Sequence, residues 1–434
     1  MAPLLTPRLI IALCAALGIW AAPVGAANKG GSPPNIVVVV LDDIGTERLG
    51  FYGNGPTPAT TPVLSSLASR GLLFMNAWAN PICSPTRATI QTGLYGIHSG
   101  IGENPSKANP GLPVGTTVLP DRLPLAYTPI VVGKWHLADG LQGPTHPNDL
   151  GYQLFSGSLA NLTWAGGDYF EWRQTLNGLT YRTTTYAPSV NINDAVRAVD
   201  LLPRPFLVHV NFNSIHTPLH APPPDLHTQN LPPNPTDDPI AYVNAMTEAA
   251  DTELGRLLAE LPANTYVLVV GDNGPFSGAV EPPLDPNRVK GTLYQGGIHV
   301  PMFIAGPGIV PGRIEALVGV VDLFATILEL SGIKDLPKND SVSLVPYFTD
   351  RTLALRKYIY SERFTPNGVN NPFYLSRKRA ARDRQHKLIR RQGAPDEFYD
   401  LLQDPYELVD LVTIGLTPDQ QSAFARISTY MESL

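Results

Sequence analysis

Four apolar runs along the chain predict strands that are buried on both faces. The first, NIVVVVLDDIG over residues 35–45, is a continuous β-branched run that ends in two carboxylates. Similar runs occupy residues 128–137, 205–218 and 265–274, and each leads into Lys, His, Asp or Asn near its carboxyl end. Runs without polar alternation are typical of a parallel sheet with both faces covered.

Segments with helical periodicity separate these runs. TPVLSSLASRG places Thr61 as the predicted N-cap, Pro62 as the first helical residue and Gly71 just past the end. Residues 241–261 form a longer amphipathic pattern. Strands that alternate with helices predict an α/β fold with a sheet covered on both sides. Ligand sites in such folds lie beyond the carboxyl ends of the strands, so we expect the polar residues to gather at one edge of the sheet.

The pattern changes after about residue 335. RKYIYSERF, HKLIRR and DEFYDLLQDPYELVDL predict short strands, and a final helix follows them. We therefore predict a main domain over residues 28–345 and a C-terminal subdomain over residues 346–434.

Residues 1–27 are predicted to be a signal peptide. Arg8 precedes an apolar run over residues 9–22, which is too short to span a bilayer comfortably, and small residues then allow cleavage after Ala26 or Ala27. A retained membrane anchor is the alternative, but polar residues follow the run at once. The prediction is export to the periplasm or the medium, without stable membrane insertion after cleavage. Cleavage would remove Cys14 and leave Cys83 as the only cysteine, so no intramolecular disulfide is expected.

Composition narrows the class of protein. The chain has 434 residues, enough for a large core and a second, smaller lobe. Its formal net charge of −6 gives no bulk electrostatic argument for nucleic-acid binding. The 44 prolines are about twice the average usage and predict long, stiff connecting loops.

Cys83 lies in NPICSPTRATIQTG, where Ser84 and Pro85 predict the start of a helix. A helix N-terminus favours an anionic ligand, whereas a buried structural cysteine is the plainer alternative. The pattern Cys-x-Pro-Thr-Arg followed by ATIQTGLY resembles the signature of the type I sulfatases, the formylglycine-dependent family of the alkaline phosphatase superfamily. The resemblance implies that a formylglycine-generating enzyme oxidises Cys83 to an aldehyde (3-oxoalanine), which hydrates to a geminal diol.

Two further segments resemble the metal-binding segments of that family. VVLDDIG carries Asp42 and Asp43, and GDNG carries Asp272 and Asn273. By themselves, adjacent carboxylates are usually a solvated strand end, and Asp-Asn-Gly is a common turn. At the ends of buried strands, however, such oxygen donors can reach one hard cation. The resemblance implies that these four residues and the modified Cys83 bind one Ca²⁺ or Mg²⁺.

Three more segments resemble the family's cation-bearing and histidine-bearing motifs. GKWHLADG carries Lys134 and His136, which are one residue apart and would project to the same side of a strand. NSIHTPLHAP carries His216, and VKGTLYQGGIHVPMFIAGPG carries Lys290. His209 and His220 are predicted to be structural. The resemblance extends from residue 35 to residue 411, where EFYDLLQDPYELVDL matches the family's closing segment with Asp410 in place of the usual Asn.

The resemblance implies a fold and a reaction. The fold would be an alkaline-phosphatase-like α/β sandwich, with a large mixed, mostly parallel sheet flanked by helices and a C-terminal lobe with a short antiparallel sheet and a helix. The sulfatase catalytic domain would hydrolyse sulfate monoesters of aryl alcohols or carbohydrates. The implied roles are diol attack on sulfur at residue 83, diol stabilisation by Arg87, sulfate binding by Lys134 and Lys290, protonation of the leaving group by His216, and deprotonation of the second diol hydroxyl by His136.

Two other functions fit the same residues. Phosphonate and phosphate ester hydrolases of the superfamily share the scaffold, and a pseudosulfatase would bind sulfated glycans without turnover if Cys83 were never oxidised. The basic run RKRAARDRQHKLIRR, over residues 377–391, is open to two interpretations. Such a run is usually a solvated face, but here it could also bind a polyanionic substrate.

Overall fold

The computed structural model describes residues 32–163, 166–369 and 373–434, so the predicted signal peptide and Cys14 lie outside the described residues. A ten-stranded sheet forms the centre of the molecule, in the order β10-β2-β9-β8-β1-β7-β3-β4-β5-β6. Its strands are β1 Asn35–Leu41, β2 Leu72–Trp78, β3 Thr128–Gly133, β4 Leu154–Gly157, β5 Trp172–Leu176, β6 Leu179–Thr183, β7 Phe206–Asn211, β8 Thr265–Gly271, β9 Met302–Ala305 and β10 Gly312–Gly319.

The middle of this sheet is parallel. β1 pairs in parallel with β7 and β8, and β3 pairs in parallel with β7 and β4. β9 runs antiparallel between β8 and β2, and β5 and β6 extend the other end as an antiparallel hairpin. The sheet is therefore mixed and mostly parallel, as the resemblance implied.

β1 shows why the apolar runs lack alternation. Val37 and Val39 enter the hydrophobic core on one side of the sheet, whereas Ile36, Val38 and Val40 enter the core on the other side. All seven residues of β1 are buried. Burial of each aliphatic side chain contributes about 1.5–3 kcal/mol relative to exposure, so both faces stabilise the strand.

Helices cover the sheet on both faces. α1 begins at Pro62 after Thr61, as predicted, and it ends at Ser69, before Gly71. Cys83 itself is the first residue of α2. The helices are α1 Pro62–Ser69, α2 Cys83–Thr92, α3 Gly96–Ser99, α4 Leu119–Arg122, α5 His146–Asp149, α6 Ala187–Leu201, α7 Pro239–Glu260, α8 Gln295–Ile298, α9 Asp322–Leu330, α10 Leu411–Ile414 and α11 Pro418–Glu432. Within the described ranges, none is long and apolar enough to cross a membrane.

A second, antiparallel sheet follows in the C-terminal region. It has the order β11-β12-β13-β14, with strands at Ile359–Thr365, Ser376–Arg382, His386–Arg391 and Glu397–Asp400. One face packs on α11 through Tyr360, Leu388 and Ile427. The other face packs on the loop before α8, with Ile389 and Leu293 in one cluster. The predicted small sheet and final helix are thus confirmed.

Candidate active site

The carboxyl ends of three strands in the parallel middle of the sheet place the predicted residues together. Asp42 follows β1, Asp272 follows β8, and Lys134 follows β3. Leu41 and Gly271 are paired in the parallel register, so Asp42 and Asp272 leave the sheet at the same level. The predicted gathering of polar residues at one sheet edge is present in the structure.

Asp42 and Asp43 both enter the site because the chain turns after β1. Asp43 has a φ of 61°, a left-handed conformation that is uncommon for a non-glycine residue. Its backbone N–H donates to Asp272 Oδ1 at 3.1 Å, and its Oδ1 accepts from Asn273 Nδ2 at 2.8 Å. The turn thus replaces the alternation of a strand, which would have placed the two carboxylates on opposite faces.

Four side chains converge in a geometry that suits a cation. One ligand atom each from Asp42, Asp43, Cys83 and Asp272 lies within 4.8 Å of the others, and all four residues are buried. Asn273 Oδ1 is also buried and has no hydrogen-bond partner within the described residues. Carboxylate and amide oxygens are the ligands that Ca²⁺ and Mg²⁺ prefer, so the donor set fits such an ion.

Cys83 lies at the centre of this group. Its Sγ is 3.4 Å from Asp42 Oδ1 and 3.4 Å from Lys134 Nζ. The side chain is fully buried, and burial raises the pKa of the thiol above its ordinary value. The unmodified residue is therefore a poor thiolate nucleophile.

Arg87, one turn into α2, joins the strands below the helix. Its Nη2 is 2.7 Å from Asp272 Oδ2 and 3.6 Å from Asp42 Oδ1. Its Nη1 donates to the carbonyl of Lys134 at 2.9 Å. Burial opposes the charge of Arg87, but the carboxylates of Asp272 and Asp42 outweigh it and raise the pKa. Arg87 therefore stays cationic and fixes α2 relative to the strand ends.

Two lysines approach the carboxylates from different sides. Lys134 Nζ is 2.6 Å from Asp42 Oδ2, and Lys290 Nζ is 2.6 Å from Asp43 Oδ1. Burial raises the pKa of Asp43, but Lys290, His216 and Lys134 together lower it below its ordinary value. Burial likewise acts against Lys290, whose pKa is nonetheless raised by its acidic neighbours Cys83, Asp43 and Asp42. Lys290 is thus held as a cation among these carboxylates.

The strand argument for Lys134 and His136 was wrong. β3 ends at Gly133, so neither residue lies on the strand, and His136 has a φ of 58°. Gly133 has a φ of 90°, and an added Cβ would lie 1.9 Å from the carbonyl oxygen of Asn211 on β7. The close approach of β3 and β7 therefore requires glycine, and the loop after it directs Lys134 to Asp42.

His136 is held by its backbone and not by its ring. Its carbonyl accepts from Ser84 Oγ at 2.6 Å, whereas its buried Nδ1 has no partner within the described residues. Burial, followed by the charges of Lys134 and Arg87, lowers the pKa of the ring well below its ordinary value. The neutral ring lines a cleft of about 770 Å³ that also contains Lys107, Ser158 and Arg173.

His216 faces the same carboxylates from the loop after β7. Its Nδ1 donates to the carbonyl of Thr217 at 2.7 Å, which leaves Nε2 directed at Asp43 Oδ2, 3.9 Å away. Burial lowers the pKa of His216 to about 4, although Asp43 acts in the opposite direction. The Tyr169 hydroxyl contacts the carbonyl of His216 at 2.6 Å.

Sequence reasoning missed three residues that support these groups. Asn104 Oδ1 accepts from the Ser84 N–H at the start of α2, and Asn211 Nδ2 donates to the carbonyl of Lys134. Tyr169 holds the His216 loop through the carbonyls of Asn213 and His216. Asn211 could have been suspected from its place at a strand end, but no local signal marks Asn104 or Tyr169.

Comparisons with known proteins identify the family of this chain. Residues 34–333 match the sequence model of the Sulfatase family, and residues 289–431 match that described as N-sulphoglucosamine sulphohydrolase, C-terminal. The chain is 30% identical to N-acetylgalactosamine-6-sulfatase of Canis lupus familiaris, over 79% of this chain and 71% of that protein. It is 27% identical to the uncharacterized sulfatase YdeN of Escherichia coli (strain K12), over 86% of this chain and 75% of that protein.

Solved structures give the same result. Ps i-CgsB has a TM-score of 0.75 at 26% identity, with 93% of this chain and 92% of that chain covered. A protein solved in complex with its substrate D-glucosamine-2-N,6-O-disulfate has a TM-score of 0.74 with 92% and 98% covered, and its 18% identity shows a shared fold alone. The chain belongs to the sulfatase family, the formylglycine-dependent family of the alkaline phosphatase superfamily, and is a sulfate ester hydrolase.

Proposed function

We propose that this sulfatase cleaves sulfate monoesters of carbohydrates, with formylglycine derived from Cys83 as the nucleophile and one bound Ca²⁺ or Mg²⁺. The observation that carries the proposal is the position of Cys83 Sγ, which shares one 4.8 Å cluster with carboxylate oxygens of Asp42, Asp43 and Asp272. Several charged groups are rarely buried so close together, because their desolvation costs free energy. Such clusters are typical of sites that bind a ligand or catalyse a reaction.

The cation would be held by Asp42, Asp43, Asp272, Asn273 and the modified residue 83. The partnerless Asn273 Oδ1 and the three carboxylates fit this role. A divalent ion would supply positive charge that polarises the nucleophilic oxygen and neutralises sulfate oxygens. This chain's own cations, Lys134 and Lys290, would bind the remaining sulfate oxygens, in a buried setting where electrostatic stabilisation is strong.

The two histidines have separate proposed roles. His216 Nε2 faces the carboxylate cluster, and we assign it the proton that the leaving alcohol requires, which Nε2 would carry once an anionic sulfate ester beside it raises the pKa of the ring. His136 borders the open cleft, and we assign it the proton of the second hydroxyl on residue 83, whose removal expels sulfate and restores the aldehyde. Arg87 fixes residue 83 through α2 while it pairs with Asp272.

The substrate class rests on the relatives. N-acetylgalactosamine-6-sulfatase is named for a sulfated sugar, and the fold is shared with a protein solved with a sulfated glucosamine. Export to the periplasm or the medium is part of the proposal and is supported by the leader-like residues 1–27.

The test is an assay of protein produced together with a formylglycine-generating enzyme. Intact-mass analysis should show that the peptide containing Cys83 is lighter than the thiol form. This protein should hydrolyse 4-nitrophenyl sulfate and sulfated sugars faster than 4-nitrophenyl phosphate, a phosphodiester or a phosphonate. Faster cleavage of a phosphorus ester, or sulfatase activity from protein with an intact thiol, would contradict the proposal.

A second measurement tests cation binding and does not depend on enzymatic activity. Ca²⁺ or Mg²⁺ should raise the thermal stability of the chelator-treated protein, by about 2.7 kcal/mol at one hundred times the dissociation constant. Asp272→Asn should reduce this stabilisation, whereas Asp194→Asn, which alters a carboxylate hydrogen-bonded to Ser156, should preserve it. Equal stabilisation of both variants would contradict the assignment.

A further inference from the structure

The basic run over residues 377–391 lies mainly on β12 and β13 of the small antiparallel sheet, so its side chains project alternately to the two faces of that sheet. Arg363 on β11 is paired with Lys378 on β12, and Lys378 is paired with Arg391 on β13. Directly paired residues project to the same face of a sheet. Three cationic side chains therefore form one row across three adjacent strands, here called the cationic row.

The opposite face carries a matched row of charges that is neutralised. Glu362, Arg379 and Arg390 are paired across the same strands, one residue earlier or later in each. Arg379 contacts Glu432 at 3.1 Å, and Arg390 contacts Asp396 and Glu432 at 2.6 Å. The two guanidinium groups of this row have three carboxylates around them, those of Glu362, Asp396 and Glu432, and need no further anion.

The cationic row is less well neutralised. Arg363 pairs with Glu103 at 2.8 Å and Arg391 pairs with Glu397, but the described residues give Lys378 no ion pair within 4 Å. Partial burial, and then the charges of Arg363 and Arg391, lower the pKa of Lys378. Like charges directly opposite each other destabilise a sheet, so an anion bound at Lys378 would relieve the repulsion.

The cationic row contacts two segments that also carry active-site residues or their hydrogen-bond partners. Arg363 Nη1 donates to the carbonyl of Gly291 at 3.0 Å, and Gly291 follows Lys290 in the chain. Arg391 lies over the ring of Tyr294, in the same loop. Glu103, the partner of Arg363, precedes Asn104, which accepts a hydrogen bond from the first turn of α2. The row is thus attached to the neighbours of both Lys290 and Cys83.

The row is also accessible. About 30% of the side chain of Arg363 and of Arg391 is exposed, so a dissolved anion can reach the guanidinium groups. Guanidinium groups bind sulfate-like and carboxylate groups through paired N–H donors, and Lys adds a point charge.

We propose that Arg363, Lys378 and Arg391 form a subsite for a second anionic group, a sulfate or a carboxylate, on the molecule whose sulfate ester is cleaved at Cys83. The inference rests on the proposed function, and it narrows the substrate to sulfated sugars that carry at least two anionic groups. A substrate with one sulfate would leave the row unused.

The experiment compares two inhibitors of 4-nitrophenyl sulfate hydrolysis. A trisulfated glycosaminoglycan disaccharide should inhibit the wild-type enzyme about tenfold more tightly than its monosulfated counterpart, the effect of one added charge-assisted contact. Lys378→Gln should remove most of this ratio and leave the kinetics of 4-nitrophenyl sulfate unchanged. Arg379→Gln, which removes one positive charge on the same strand and the opposite face, should keep the ratio.

Three results would overturn the inference. They are equal inhibition of the wild-type enzyme by both disaccharides, an unchanged ratio in Lys378→Gln, and an equal loss of the ratio in Arg379→Gln. Thermal denaturation checks that both variants fold, and Lys378→Gln should be no less stable than the wild-type protein. If the wild-type enzyme failed to hydrolyse 4-nitrophenyl sulfate, the proposed function would fail, and calorimetric binding of the same disaccharides would still decide the subsite.

Discussion

Two regions of this protein bury charged side chains, and they do so in different ways. The active site places Asp42, Asp43 and Asp272 around one thiol, with Lys134, Lys290 and Arg87 against them. The other region, between the two sheets, buries Lys387, Glu407 and the neighbouring Arg382, and the charged atoms of Lys387 and Glu407 are 2.6 Å apart.

The two regions differ in the partners that their buried charged groups have. Lys387 Nζ has the carboxylate of Glu407 at 2.6 Å and the ring of Trp78 at 4.9 Å, although neither Nζ nor Glu407 Oε1 makes a well-aligned hydrogen bond within the described residues. In the site, by contrast, burial and then Asp42 raise the pKa of Asp272 to about 6, and Asn273 Oδ1 has no partner within the described chain. Carboxylates that raise the pKa of one another are typical of a ligand-binding site. An isolated buried ion pair, here called the closed pair, contributes instead to the specificity of the fold.

Removal of the Cys83 thiol should have the largest effect on activity and almost no effect on stability. Cys83→Ala is expected to lower kcat by on the order of 10⁴-fold or more, because the nucleophile is lost. Its melting temperature should stay close to that of the wild-type protein, since the charges around residue 83 remain paired. Multiple turnover by Cys83→Ala at a rate near that of the wild-type enzyme would contradict the nucleophile assignment. Cys83→Ser is the matched control and should show slow or single-turnover reaction at most.

His216 should have an effect that depends on the leaving group. His216→Ala is expected to lower kcat/KM by about 10²–10⁴-fold on a sugar sulfate, where the leaving alkoxide needs a proton, and much less on 4-nitrophenyl sulfate. His136→Ala should instead give a burst of 4-nitrophenol before slow turnover, because sulfate release is delayed. Pre-steady-state kinetics of both variants on both substrates measure this. Equal losses for His216→Ala without a burst from His136→Ala would show that the roles are exchanged or absent.

Substitutions in the closed pair of Lys387 and Glu407 should change the stability of the protein and not its enzymatic activity. Lys387→Met leaves Glu407 buried without its partner and is expected to lower the free energy of unfolding by about 3–5 kcal/mol. The double variant Lys387→Met, Glu407→Leu should recover most of this loss, because no uncompensated charge remains. Denaturant unfolding measures both. A double variant as unstable as the single one would mean that the pair, and not the unpaired charge, sets the stability.

The smallest expected effect is a change in pH dependence. Burial lowers the pKa of Lys387 to about 8 from 10.5, although Glu407 opposes this. Between these values the unfolded chain binds more protons than the folded one, so this residue makes stability rise with pH, by at most about 1.4 kcal/mol per pH unit. Below about pH 8 the cost of the buried ammonium is fully present. The double variant should therefore show a shallower rise between pH 8 and 10.5, and an unchanged slope would exclude Lys387 as its source.

The sequence predicted the strands that are buried on both faces, because a continuous apolar run identifies them without tertiary information. β1, β3, β7 and β8 are such strands. The edge hairpin of β5 and β6 escaped prediction because WRQTL and LTYRT are short and mostly polar, and β6 is largely exposed. Pairing with neighbours, and not local pattern, makes these residues strands.

The site was predicted as a set of residues but not as a geometry. Asp42, Lys134 and Asp272 follow apolar strands, so the fold itself brings them together. The expectation that Lys134 and His136 share a strand face failed because β3 stops at Gly133 and the chain then leaves the extended conformation, with His136 at a φ of 58°. Asn104 and Tyr169 act on segments distant in the chain, and sequence spacing contains no information on such contacts.

The complete burial of Cys83 determines whether the thiol can be oxidised before or after the chain folds. Residues 83–87 are all buried, and α2 is fixed from several sides once the sheet has formed. Under the proposed function a second enzyme oxidises the thiol, and the folded protein exposes almost none of this segment to it. Under the proposed function, maturation therefore has to take place on the nascent or unfolded chain, and a molecule that folds first is committed to an inactive form.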